Sequence, residues 1–328
     1  MHRSVRRGLT LIDVVASLAV VTLLCAALVP AAVRSADQTR DQRENFTAKR
    51  MAKVLASYAL DNADAVVPAA PHWGWVHPST PSPGMPQMLP HDPYNANRRM
   101  QGSVSKVFTP HLIDGRGVRP DELQADPATA ALFAMRSTQP SSLSGDIADY
   151  TILSAQAATM WSPSFGYNGV FIGGSYRHGA FLSSPTGVPA NPASVHYVQR
   201  LSQVVAPDRL IGFAAARGGD IVNSGIFWSW GQSYPNMTPV RPGYWLVTPP
   251  QQSPSGVIAW SASNTFNAAQ APSTWGNLDC RAGNSKALVV QLDGSSQTLS
   301  ISSLRDMRRW ANQATSANWQ WQGQPAVP

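Results

Sequence analysis

Residues 8–32 read GLTLIDVVASLAVVTLLCAALVPAA, and from Val14 to Val33 twenty consecutive positions carry no charged side chain. A helix over that stretch is about 30 Å long at about 1.5 Å per residue, the thickness of a bilayer's hydrocarbon core. The preceding MHRSVRRG (1–8) holds Arg3, Arg6 and Arg7, and cations flanking a membrane segment stay on the cytoplasmic side. The C-terminal bulk is therefore expected outside the cytoplasm.

A basic and then apolar N-terminus can be processed in several ways. A secretory peptidase would cut after the apolar region, where Val29-Pro30-Ala31 and Arg34-Ser35-Ala36 make poor small-residue sites. Lipidation would use Cys25, but Leu23 and Leu24 stand where small residues are needed.

The stretch from Gly8 to Ala32 resembles the prepilin signature of type IV pilins and type II secretion pseudopilins: Gly, an apolar residue, Thr, Leu, an apolar residue and an acid, opening a long hydrophobic helix. Asp13 is the only charge in this opening and stands five residues after Gly8, where the family carries an acid, usually the longer Glu. Pro30 falls where these proteins commonly have a helix-kinking proline. The resemblance implies cleavage between Gly8 and Leu9 by a prepilin peptidase, N-methylation of Leu9, and retention of the helix as a single-pass inner-membrane anchor. It further implies assembly, through Asp13 and Pro30, with other pilin or pseudopilin subunits and the secretion or pilus machinery. The C-terminal domain would then be periplasmic or part of an extracellular filament.

Beyond Arg34 charges appear without loss of helical spacing. Ala48, Met51, Ala52, Leu55, Tyr58 and Ala59 form a stripe at three- and four-residue intervals, with Asp37, Arg40, Asp41, Arg43, Glu44, Lys49, Arg50 and Lys53 mostly on the other faces. One helix is thus predicted from about Leu9 to about Asp61, its second half packed on a globular domain. The 27 prolines and 24 glycines, with only 13% charged residues, point to a domain rich in turns and argue against an all-helical fold. Eight prolines between Val66 and Gly102 predict a long surface excursion. Asp126-Pro127 is read as a helix start.

Strands are predicted at Arg209–Ala216, Ile226–Trp230 and Tyr244–Val247. Ala287–Leu292 and Ser295–Ile301 flank Asp293-Gly294 and predict a hairpin with a two-residue turn. Ser303 and Asp306 then have capping-box spacing for a helix carrying Leu304, Met307, Trp310 and Ala311 to the core. The segments SPSFGYNGVFIGG (162–174) and KALVVQLDGSSQTLSISSLRDMRRWANQA (286–314) resemble large pseudopilin-like proteins with a C-terminal H-x9-DG element, although Gly283 stands at the histidine position. The reading is an α+β, pilin-like fold. It comprises a leader (1–8), a long helix (9–64, membrane-spanning over 9–33) and an antiparallel β-rich domain (65–328) with a Pro-rich loop at 66–102 and a hairpin plus helix at 286–314.

Chemistry is sparse. No HExxH, Walker loop or GxSxG elbow occurs, and no clustered His/Cys set has metal spacing, so no enzyme, metal or cofactor is expected. Ser103 and Lys106 match SxxK without a KTG partner; His178, His196 and Asp208 lack the context of a relay. Asp220 and Asp293 offer oxygen ligands for calcium without EF-hand spacing. Cys25 and Cys280 lie in an apolar and a polar region, and no disulfide or cysteine-based metal site is expected between them. The formal charge of +7 is scattered, giving no support to nucleic-acid binding. Eleven tryptophans, among them Trp73, Trp75, Trp161, Trp228, Trp230 and Trp245, suit either core anchoring or a rival function, a signal-anchored module binding glycan or protein.

Overall fold

A computed structural model describes residues 11–70, 90–92, 95–102, 107–116, 118–125, 142–144, 147–150, 160, 162–175, 196–218, 243–250, 267, 270, 272–280 and 285–320. Two compact units divide between Arg43 and Glu44. The first helix, α1, runs Leu11–Asp61 with Pro30 inside it, ending where the spacing predicts. Its last turn is closed by Asn62, whose side-chain amide donates to the Tyr58 carbonyl at 2.8 Å. Ala63 and Asp64 then take positive φ (51° and 69°), turning the chain away from the helix axis.

In the larger unit, the end of α1 is a packing element. Ala48, Met51, Val54, Leu55, Tyr58 and Ala59 are buried, as their spacing requires, and Ala52 packs against the same cluster. The stripe reaches one turn further than predicted: Glu44 and Thr47 are buried too, because they sit in the same i, i+3, i+4 rows. Arg116 fastens the helix end. Its guanidinium donates to the Asp61 carboxylate at 2.8 Å and to the Asp114 carbonyl at 2.6 Å, and lies 4.9 Å over the Tyr58 ring.

The stripe packs on a four-stranded antiparallel sheet in the order β5 (Phe165–Tyr167), β6 (Ile211–Ala215), β7 (Lys286–Gln291), β8 (Ser296–Ser300). Alternation along the strands divides the core in two. Phe213 and Ala215 of β6 with Leu288 and Val290 of β7 join the cluster of the α1 stripe; Ile211, Ala214, Ala287 and Val289 face Trp275, Leu304, Met307 and Trp310 on the other side. Buried on both faces, the middle of β7, residues 287–290, reads in the sequence as an unbroken apolar run. Phe108, Tyr167 and Phe213 form an aromatic triad on the helix side, with centroid separations of 5.0 to 5.8 Å.

A second four-stranded sheet has the order β1 (His91–Asp92), β2 (Asn95–Gly102), β4 (Ile147–Tyr150), β3 (Ser142–Ser144). β2 pairs in parallel with β4, so the antiparallel expectation fails here. This also corrects the reading of 66–102 as a single surface excursion. Val66 to Ala70 are buried and bonded to the chain at 174 and 199, and β2 lies inside its sheet. β2 forms because its eight residues contain no proline. A short helix, α2 (Phe108–Ile113), is wholly buried and had no signal in the sequence, being less than two turns long.

The C-terminal elements hold with two changes. Leu292-Asp293-Gly294 form a three-residue loop, not a two-residue one: the Gln291 amide donates to the Ser295 carbonyl (2.9 Å) and the Gly294 amide to the Gln291 carbonyl (3.0 Å), with Gly294 at φ 87°. Asp293 favours the longer loop by accepting from the Ser295 amide at 2.8 Å. The helix that follows is two short pieces. Ser300 caps α3 (Ile301–Leu304), three residues ahead of the predicted cap; Asp306 starts a separate 3-10 turn, Met307–Arg309. Leu304, Met307, Trp310 and Ala311 are nevertheless buried as predicted. The predicted strand at 244–247 supplies only a bridge from Leu246 to Tyr167. The strand at 226–230 and the helix at 126 lie outside the described residues.

Gly173 and Gly294 separate two costs of a side chain at positive φ. A Cβ on Gly173 (φ 70°) would lie 1.9 Å from the Val67 carbonyl oxygen, whereas one on Gly294 meets nothing closer than 3.8 Å. Gly294→Ala is expected to lose ~1 kcal/mol and Gly173→Ala ~3 kcal/mol or more, since only the second must also displace backbone. Urea unfolding of the full chain in detergent, followed by tryptophan fluorescence, reads the difference; equal losses would show that the chain near Val67 yields freely.

Candidate functional site: the apolar N-terminal helix

Within α1, Val14–Ala32 is long and apolar enough to cross a membrane, with a mean hydropathy of 2.5 over 19 residues and none of it buried. Large side chains are exposed all round the helix: Leu18 at 60%, Leu23 at 71%, Leu28 at 64% and Val29 at 61%. A helix apolar on every face has no side suited to water, and its stable surroundings are lipid or other apolar helices. One polar side chain within it is satisfied locally. Thr22 donates its hydroxyl to the Leu18 carbonyl at 2.8 Å, the back-bond expected of threonine inside a helix.

Asp13 and Pro30 both lie in α1, separated by 17 residues and hence by about 25 Å. Pro30 has no N–H, which leaves the carbonyl of Ala26, one turn earlier, without its helical donor and makes this a natural bending point. Gly8 and Leu9, the expected cleavage pair, lie outside the described residues.

Other sequence candidates do not converge. His196 packs edge-on against Phe171 and Tyr197, while Asp208 is exposed in the turn at 207–209; His178, Ser103, Lys106 and Asp220 lie outside the described residues. Asp293 is committed to its own loop through Ser295. Among the described residues no group of three or more His, Cys, Asp or Glu could hold a metal ion. Trp245, Trp275 and Trp310 are buried, so these rings serve the core. The other tryptophans singled out lie outside the described residues.

Asn168, in the segment 162–174, carries a role that its sequence context does not reveal. It is fully buried, and its amide nitrogen donates to the Ile211 carbonyl (2.9 Å) and the Trp310 carbonyl (2.8 Å), joining the sheet to the C-terminal turns. The indole of Trp310 in turn donates to the Leu304 carbonyl at 2.7 Å. These two bonds offset the desolvation of the amide nitrogen, while its Oδ1 is buried without a hydrogen-bond partner. The partners are 43 and 142 residues away and no local pattern announces them.

No protein-family model matches the chain, and comparisons with curated proteins and with solved structures find no match.

The two cysteines report on surroundings. Cys25 is exposed within the apolar stretch; Cys280 is buried, which pushes its thiol up to about 12. In membrane fragments open on both sides, a charged maleimide at pH 7.5 is expected to label neither cysteine but to label a Ser35→Cys variant readily, and SDS should release both native thiols. Labelling of Cys25 as fast as of Ser35→Cys would place the apolar stretch in water.

Proposed function

We propose that the chain is a pilin- or pseudopilin-like subunit, anchored in the bacterial inner membrane by α1 and then incorporated into a type II secretion pseudopilus or a related type IV pilus-like filament. The observation that carries this reading is the apolar helix, exposed on every face, opening directly after Gly8-Leu9-Thr10-Leu11-Ile12-Asp13. A helix of this kind fits two environments in turn, the lipid before assembly and the core of a helix bundle after it. Nine large aliphatic residues in Val14–Ala32 favour insertion by roughly 3–5 kcal/mol in sum on an insertion scale. That outweighs one marginal carboxylate, so Asp13 does not prevent anchoring.

In the proposed sequence, a prepilin peptidase cleaves between Gly8 and Leu9 and the new amine is methylated. An amine at Leu9 lies one helical turn from Asp13 and has the opposite charge. Pairing with it, in the same or a neighbouring subunit, compensates a carboxylate that lipid would otherwise leave costly. The subunit would act mechanically, without a catalytic centre, and the folded domain would form the outer part of the filament.

Mass spectrometry of the mature protein is expected to find a chain beginning at N-methylated Leu9; a start at Ala32, Asp37 or later would replace this reading with that of a secreted binding module. Asp13→Ala is expected to leave cleavage intact and to lower filament incorporation, read by crosslinking of membrane fractions co-expressing the assembly machinery, while Asp13→Glu assembles at least as well as the parent. Full assembly of the alanine variant would remove Asp13 from the mechanism.

A further inference from the structure

Asn168-Gly169 is the only Asn-Gly pair in the chain. In an unfolded chain this dipeptide readily loses its side-chain amide, because glycine puts no Cβ in the path of its backbone nitrogen toward the asparagine Cγ. Here both residues are needed by the fold. Asn168 joins the sheet to the C-terminal turns through its bonds to the Ile211 and Trp310 carbonyls. A Cβ on Gly169 would lie 2.1 Å from the Ala69 Cβ and 3.0 Å from Leu246 Cδ1, so packing leaves room for glycine alone. A labile dipeptide is thus built into the core.

The fold also blocks the reaction that threatens it. Loss of the amide starts with attack of the Gly169 nitrogen on Asn168 Cγ, and the nitrogen that must leave is Nδ2, pinned between two carbonyls at 2.9 and 2.8 Å. Negative charge developing on Oδ1 would find no donor, since Oδ1 is buried without a hydrogen-bond partner. The backbone is held on both sides: the Asn168 amide donates to the Gly212 carbonyl (2.9 Å), and its carbonyl accepts from the Ile172 amide (2.9 Å). Asn168 is 0% exposed, which keeps water from the later hydrolytic step.

We propose that Asn168 is a deamidation site open only while the chain is unfolded, and that its modification bars the chain from folding. In the unfolded chain the Gly169 nitrogen bonds to Cγ, its proton leaves with Nδ2 as ammonia, and a five-membered imide remains. Water then opens the imide at Cγ to give aspartate, or at the main-chain carbonyl to give isoaspartate; water is the only co-reactant. Neither product suits the site. Aspartate turns carboxylate oxygens toward the two carbonyl oxygens that Nδ2 had joined, an unpaired charge in a dry core. Isoaspartate adds a methylene to the main chain between the bonds to Gly212 and Ile172 and puts them out of register. Folding therefore protects the side chain on which it depends, and a chain kept unfolded loses that side chain for good.

The test holds the full chain in maltoside micelles at pH 8.5 and 37 °C, either folded or in guanidinium chloride, and then dilutes the denaturant. Mass spectrometry is expected to show the peptide containing residue 168 gaining one mass unit in denaturant, with isoaspartate among the products. The folded chain should gain it about a thousandfold more slowly, since reaction waits on the rare opened molecules. After dilution, limited proteolysis separates native from misfolded chains, and the modified peptide should be confined to the protease-sensitive fraction. Asn168→Asp should fail to refold, whereas Asn318→Asp, at an exposed site, should refold as the parent does. Equal rates in the folded and unfolded chain would overturn the proposal, as would modified residue 168 shared evenly between the two fractions or full refolding of Asn168→Asp.

Discussion

A sheet with two buried faces must find apolar cover twice, and most of the larger unit follows from how the β5–β8 sheet does so. The alternation of β6 and β7 sends Phe213 and Val290 to one side and Ala214 and Val289 to the other. One cover comes from the end of α1, the other from Trp275 and the turns after β8. The two covers are far apart in sequence, and neither forms a core alone. Arg116 at the end of α1 and Asn168 between sheet and turns hold each cover in register.

The polar groups inside this core are few and placed at junctions. Asn168 bridges two carbonyls, and Thr109 donates to the Met160 carbonyl at 2.8 Å. Burial pushes the Tyr58 and Tyr167 hydroxyls above their ordinary pKa, which keeps both rings neutral at any physiological pH. Three of the described tryptophans likewise work as anchors: Trp310 spends its one donor on Leu304, and the Trp245 and Trp275 rings fill space, while Trp319 is half-buried.

What could be read in the sequence was whatever has a local signal. The α1 stripe repeats at 3.6 residues and the β7–β8 hairpin is marked by the runs flanking Asp293-Gly294, and both stand within a residue or two of their predicted bounds. The Pro-rich stretch misled because its prolines were weighed over 66–102 as a block, although none lies in 95–102. The helix after β8 was read as continuous because Leu304, Met307 and Trp310 keep helical spacing; the side chain of Asp306 accepts from the Arg308 amide and so begins a new turn instead. For the candidate site, the apolar helix with Asp13 and Pro30 was legible residue by residue. The role of Asn168 was not, since Ile211 and Trp310 reach it only through the fold.

The order of the strands also sets a timetable for the chain as it is made. β7, which covers the α1 stripe through Leu288 and Val290, lies some 230 residues after Ala59. At roughly 5–20 residues per second of synthesis, Met51, Leu55 and Tyr58 wait on the order of 10–50 s for the β7 part of their cover, although Val66, Phe108 and Tyr167 of the same cluster are made earlier. Until then the stripe is an incompletely covered apolar surface, vulnerable to capture by other nascent chains and a natural ligand for a holding chaperone. The domain is thus bound to fold late, after nearly all of its length has been delivered.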